Sequence, residues 1–336
     1  MAYYHQQMNM YAQPSPITTA DVPFNDPTDN VNVDRCDLVI RTADNVDFFV
    51  LGTLLSLQSS SSFFHHALKD SQDTEERKGY PVLGVKEDSQ TFRDILLFCY
   101  PYVAPKIESA KQIQEVGMAL DKYCMDRAME RFVQAVLASS VISEQPLRVF
   151  AVAVANGWKE IGKAAARNTL AMPLSQAISD VEESNIITAR HLYRLLDYHA
   201  RCGKAAQIPR QGGSFTLSEK TSGLTFLYRH ARIGGVNCPW CGKETRYVAE
   251  LGGCGHPWIS KTYFSLVNSK LLLEPRPQIA LDNDIIAHAI YASIQECSLG
   301  PWALAACNQI RLLGEIVAEE IDRRISEVPL DIEWKK

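Results

Sequence analysis

The stretch "NCPWCGKETRYVAELGGCGHPW", Asn237 to Trp258, holds the residues whose types and spacing best suit chemistry. Cys238 and Cys241 form a Cys-Pro-Trp-Cys-Gly knuckle, and Cys254 and His256 follow after twelve intervening residues. Two thiolates two residues apart in a tight turn can share one tetrahedral ion, and a second thiolate and an imidazole can complete it. Gly242 suits the open backbone of such a knuckle, and Gly252, Gly253 and Gly255 extend that freedom to the second pair. The expectation is a zinc site of Cys238, Cys241, Cys254 and His256. Cys-x-His is tighter than the usual ligand spacing, so Cys202, His199, Cys297 and Cys307 are rival ligands. Four protein ligands leave no open position for water or substrate, so the ion would be structural.

The same knuckle has a redox reading, which requires it to open a helix in a βαβ setting that lowers a thiol pKa. Lys243-Glu244-Thr245 leads into no convincing helix. No nucleophile elbow, phosphate-binding glycine loop, dinucleotide fingerprint or HExxH appears, so the chain reads as non-enzymatic. The remaining thiols Cys36, Cys99 and Cys124 fall on apolar stretches and are expected in the core. His65 and His66 are adjacent, point in different directions on a helix, and are read as surface or partly buried histidines.

The chain of 336 residues exceeds one compact domain, which predicts two or three modules. A formal charge of −5 gives no global attraction to nucleic acid or anionic membrane. No apolar run is long enough to span a bilayer and the first residues lack a secretory pattern, which predicts a cytoplasmic or nuclear protein. Nine cysteines in a reducing compartment are then no disulfide framework. Between Arg190 and Arg246 basic residues outnumber acidic ones, with tyrosines and Trp240 among them. This is the alternative reading, a nucleic-acid-associated assembly factor, although no reading helix or RNA-binding sheet accompanies it.

Residues 1–23 mix Tyr, Gln, Met and Pro without period and read as a disordered tail. Leu38–Arg41 and Val46–Val50 flank Asp44-Asn45 and predict a β-hairpin. Two short helices follow, over Leu51–Leu57 and from Phe63 to Leu68. Asp70 to Lys78 reads as an exposed charged loop, and Tyr80–Val85 as a third strand. Phe92, Ile95, Leu96 and Cys99 share one helical face, stopped by Pro101. Helices are expected over 109–123 and 126–138. Farther on, Leu224–Tyr228 reads as a strand, and Ile310, Leu313, Val317, Ile321, Ile325 and Val328 mark one face of a long helix, supported by Glu319–Arg323 and Glu320–Arg324 pairs.

That order, together with "CDLVIRTADNVDFFV", "LLSLQSS", "FF" and "DILLFCYP", resembles the BTB/POZ domain. "ALDKYCMDRAMERFVQAVL", "EQPLRVFAVAVANGWKEIGKAAARNTL" and "YHARC" extend the resemblance, over about residues 24 to 205, to the expanded BTB/POZ set of mushroom-forming fungi. Leu51-Gly52 stands where the family usually has a His-Lys or His-Arg pair. The resemblance implies an α+β fold: a BTB/POZ-like domain over 24–140 built on a short three-stranded sheet with helices, then a helical annex over 141–209. A C-terminal α+β module over 210–336, stapled by zinc, completes the chain. It also implies a second, more C-terminal ligand pair, stretched here to Cys297 and Cys307. The function implied is protein–protein interaction: a homodimer, also suggested by apolar faces of the hairpin and of Leu54 to Leu68, with a cullin scaffold or a transcriptional assembly as partner.

Overall fold

The computed structural model describes residues 16–27, 36–59, 75–173, 182–208, 217, 220–228, 237–238, 241–297 and 300–334. The chain divides into two compact units, Met1–Gln145 and Pro146–Lys336. Both are mixed helix and strand.

The first unit is built on a small sheet of strands β1 (Thr18–Thr19), β2 (Leu38–Arg41), β3 (Val46–Val50), β4 (Glu76–Arg77) and β5 (Tyr80–Gly84), in the order β1-β3-β2-β5-β4. The hairpin forms as expected, with Leu38 opposite Val50 and Arg41 opposite Asp47, and Asn45 takes the left-handed conformation that its turn needs. β5 joins β2 in parallel, so β2 is central and Leu38, Val39 and Ile40 are all buried rather than alternating. The expected sheet of three strands gains two short edges. Thr18–Thr19, placed by composition in a tail, pairs with β3, and Phe24 is 1% exposed. Glu76–Arg77, read as part of a charged loop, pairs with β5. Asp47 has a fully buried side chain and is held by Arg41 at 2.7 Å and Arg77 at 3.2 Å, which compensates a charge that would otherwise be costly here.

Helix α1 (Gly52–Gln58) follows the hairpin, and its first N–H groups are received across the sequence by Asp37, whose carboxylate also accepts from the Thr53 hydroxyl at 2.8 Å. The second expected short helix, Phe63 to Leu68, and His65-His66 lie outside the described residues. Helix α2 (Ser89–Cys99) starts on an Asp88 cap and buries Phe92, Ile95, Leu96 and Cys99, the predicted face, and Phe98 as well. Its end is satisfied from a distance: Arg131 donates to the carbonyls of Phe98, Tyr100 and Tyr102 at 2.6–3.0 Å. Helices α3 (Ala110–Lys122), α4 (Asp126–Ala138) and the single turn α5 (Val141–Glu144) finish the unit.

In the second unit Pro146 opens α6 (Pro146–Asn156), which packs its Val- and Ala-rich side on α7 (Lys159–Thr169). Then come α8 (Ala189–Ala205), a two-stranded ribbon of β6 (Arg246–Val248) and β7 (Gly253–Gly255), a π-helical stretch Ile259–Phe264 running into α9 (Ser265–Leu271), α10 (Asn283–Glu296) and the long α11 (Gly300–Ser326). The expected border near residue 210 does not divide the chain, because α8 packs on α11. Leu224–Tyr228 is no strand: it follows a turn of 3₁₀ helix, Thr221–Gly223, and only Tyr228 bridges to the ribbon, at Cys254. The predicted stripe of α11 holds for Ile310, Leu313, Val317, Ile321 and Ile325, each at most 1% exposed, whereas Val328 lies past the helix end. The expected Glu320–Arg324 pair forms at 2.9 Å, whereas Arg323 is taken at 2.7 Å by Glu320 and not by Glu319, which reaches Lys220.

Gly314 lets α11 approach the 3₁₀ turn Pro277–Leu281 closely. A Cβ there would lie 2.8 Å from the Ala280 carbonyl oxygen and 2.9 Å from Leu281 Cδ2. Backbone cannot yield cheaply, so Gly314→Ala is expected to destabilise the unit by about 1–3 kcal/mol in spite of alanine's better helix propensity. Urea unfolding of the variant beside the parent protein measures this, and an unchanged or higher midpoint would contradict it.

Candidate metal centre

Four side chains from three segments converge in the second unit: Cys238, Cys241, His256 and Cys297, whose ligand atoms all lie within 4.8 Å of one another. Local chemistry explains each position. Cys238 receives the Gly242 N–H on its carbonyl and donates its own N–H to Lys243, both at 2.8 Å, which closes the knuckle. That turn needs a left-handed residue, and Gly242 supplies it at φ 69°. His256 directly follows β7, whose Gly255 leaves no room for a side chain, since a Cβ would meet Ile259 Cδ1 at 2.5 Å. Cys297 caps α10, its N–H bonded to Ser293 O at 2.9 Å.

The geometry is that of ligands around one ion. Cys238 Sγ and Cys297 Sγ are 4.0 Å apart, as are Cys241 Sγ and His256 Nε2. A tetrahedral zinc with Zn–S bonds of ~2.3 Å requires sulfur–sulfur edges of about 3.8 Å, so the cluster closes on an ion with small movements. Cys238, Cys297 and His256 are 2–5% exposed. Burial pushes the Cys297 thiol up to about 12, with the Cys241 and Cys238 thiols beside it adding to the shift. Beyond Cys241 the chain turns into β6 rather than a helix, so the setting that a redox knuckle needs is missing from the described residues.

A second layer surrounds the donors. His256 turns Nε2 to the cluster and Nδ1 toward Glu296 Oε2 at 3.9 Å, which favours the tautomer with the proton on Nδ1. Glu296 also accepts the Trp258 N–H at 3.2 Å, and its carbonyl accepts from Lys243 Nζ at 2.7 Å. Tyr228 places its hydroxyl 3.3 Å from Cys238 Sγ.

No family model matches this chain, and no curated protein matches it.

Of the expected ligands, the structure brings together Cys238, Cys241 and His256 but not Cys254. Cys254 is buried in β7, pairing by backbone with Tyr247 in β6 and bridging Tyr228 through 2.8 and 2.9 Å hydrogen bonds, and its sulfur is outside the group. His256 lies just past the end of β7, where the strand's alternation no longer sets its direction, so sequence nearness to His256 did not make Cys254 a ligand. Cys297, one of the rival ligands named above, takes the fourth position, and its helix-capping location left no local spacing to single it out. Cys307 is exposed on α11. Cys202 is buried in α8 and pushed up to about 11 by burial, and His199 Nε2 lies 3.3 Å from the Met172 carbonyl. Neither belongs to the cluster.

Among the other thiols Cys99 is buried, Cys36 is partly so, and Cys124, expected in the core, is exposed at a positive φ just past α3. In the basic region Arg190 is engaged by Glu333, Arg201 by Asp197 and Asp331, and Lys220 by Glu319, all within the second unit. Among the described residues no helix is long and apolar enough to cross a membrane.

Proposed function

We propose that this chain is a non-enzymatic interaction protein. Its second unit is stapled by a structural zinc ion on Cys238, Cys241, His256 and Cys297, and its first unit is a BTB/POZ-like domain through which two copies associate. The observation that carries the reading is the closed donor set: three sulfurs and one imidazole nitrogen within 4.8 Å fill a tetrahedral ion and leave no position for substrate. Soft thiolates with imidazole select zinc over the hard oxygen-seeking cations.

The resemblance is supported by the path of the chain in the first unit: hairpin β2–β3, helix α1, strand β5 returning parallel to β2, helix α2 ended at Pro101, then α3 and α4. The hairpin's apolar faces are buried within the unit itself. The dimer therefore rests on α1, where Leu57 stays 73% exposed. Light scattering at tens of micromolar is expected to give twice the chain mass, and Leu57→Asp to lower it; a monomer throughout would end the self-association proposal. Binding of a cullin N-terminal domain, followed by calorimetry, then distinguishes a ubiquitin-ligase adaptor from a transcriptional or other assembly module in the cytoplasm or nucleus.

A further inference from the structure

The Tyr228 hydroxyl approaches the Cys238 sulfur to 3.3 Å, within reach of a hydrogen bond. Its placement is built in. Tyr228 and Cys254 exchange backbone hydrogen bonds in both directions, 2.8 Å from the Tyr228 N–H and 2.9 Å from the Cys254 N–H, which docks Tyr228 on the edge of the metal-bearing ribbon. Leu227 is wedged over that ribbon, where a Cβ on Gly253 would meet its Cγ at 2.8 Å. Cys254, the sequence's candidate ligand, thus serves by its backbone, holding the residue that reaches the ligand sulfur.

Three thiolates and a neutral imidazole around a divalent ion leave the centre with a net charge of −1, concentrated on sulfur. A hydroxyl donating to one of those sulfurs withdraws electron density from it, which stabilises the thiolate and makes it a poorer nucleophile. Resting on the zinc reading above, we propose that Tyr228 is an outer-shell positioning residue that donates to the Cys238 sulfur, tightening metal binding and shielding this ligand from electrophiles and oxidants. The centre would then be a durable staple rather than a site of metal exchange.

The test compares full-length protein with its Tyr228→Phe variant, which keeps the ring and removes only the donor, and with Tyr247→Phe, an exposed tyrosine on β6 as control. Zinc affinity is read by competition with a chromophoric chelator, zinc ejection by the rate at which N-ethylmaleimide releases it, and the sulfur's electronic state by the charge-transfer bands of the cobalt(II)-loaded protein. Tyr228→Phe is expected to bind zinc about 10-fold more weakly, to lose it several-fold faster and to shift the cobalt bands, with Tyr247→Phe unchanged in all three. A merely structural tyrosine would not move the cobalt bands. Equal affinity, ejection rate and spectrum in Tyr228→Phe and parent would overturn the proposal while leaving the zinc site standing; a parent protein that binds no zinc would overturn both. Should Tyr228→Phe not fold, the parent loaded with NMR-active cadmium decides instead. A hydroxyl proton coupled to the metal through the hydrogen bond supports the proposal, and an uncoupled Tyr228 hydroxyl refutes it.

Discussion

Withdrawal of zinc by a strong chelator is expected to melt the second unit and spare the first. All four donors lie between Cys238 and Cys297, so no ligand comes from residues before Gln145. An ion bound only by the native fold, at a thousandfold excess over its Kd, stabilises that fold by about 4 kcal/mol. For a unit of this size, that corresponds to a drop in melting temperature of roughly 8–16 °C on chelation. A calorimetric trace should then show one transition moving down while the other stays. Tryptophan emission gives a second readout, because Trp258, Trp302 and Phe226 form a buried aromatic cluster with centroids 5.4–6.3 Å apart, and the backbone N–H of Trp258 is held by Glu296 beside Cys297. Two transitions unchanged by chelation of protein shown to contain zinc would refute the stapling role. Acid should mimic the chelator, since each thiolate and the imidazole must be deprotonated to bind, so metal and stability leave together as pH falls.

The two nearby buried cysteines should behave oppositely. Cys297→Ser removes a donor and is expected to weaken zinc binding more than about 100-fold, beyond the range for outer-shell changes. Cys254→Ser replaces a buried sulfur with a hydroxyl and should cost no more than about 1–2 kcal/mol of stability while retaining one zinc per chain. Metal content after dialysis, measured by atomic emission on each variant, separates the cases. Full zinc in Cys297→Ser together with none in Cys254→Ser would restore the ligand set expected from spacing and overturn the one in the structure.

That contrast also shows what sequence made legible. The knuckle Cys238–Cys241 with Gly242 is a local motif in which three residues set a turn and its donors, and His256 could be named as a partner because it lies within a short Gly-rich stretch of the same segment. The fourth ligand comes from the end of α10, and nothing in the sequence around Cys297 reports what its helix packs against. The fold divides in the same way. The hairpin β2–β3, the apolar face of α2 and the stripe of α11 follow from local periodicity and turn residues. The edge strands β1 and β4 do not: two-residue segments such as Thr18–Thr19 and Glu76–Arg77 carry no period, and they become strands because a long neighbour has backbone groups left to pair. The annex and the C-terminal module merge into one unit for a related reason, since the packing of α8 on α11 joins residues far apart in sequence.

The position of Cys297 has a consequence for how the protein comes off the ribosome. Cys238 and Cys297 are separated by 59 residues, so a nascent chain carries the knuckle well before the donor that completes the site. Bringing the ends of so long a flexible segment together costs roughly 3–4 kcal/mol of closure entropy beyond a constant. Until α10 has emerged and docked, the chain offers only the knuckle thiolates and His256, one donor short of the four-residue set. On the zinc reading proposed above, metal acquisition would be a late step in biogenesis: the ion is locked in only by a chain that has already gathered the knuckle, His256 and α10, and a truncated chain that lacks Cys297 is expected to release it.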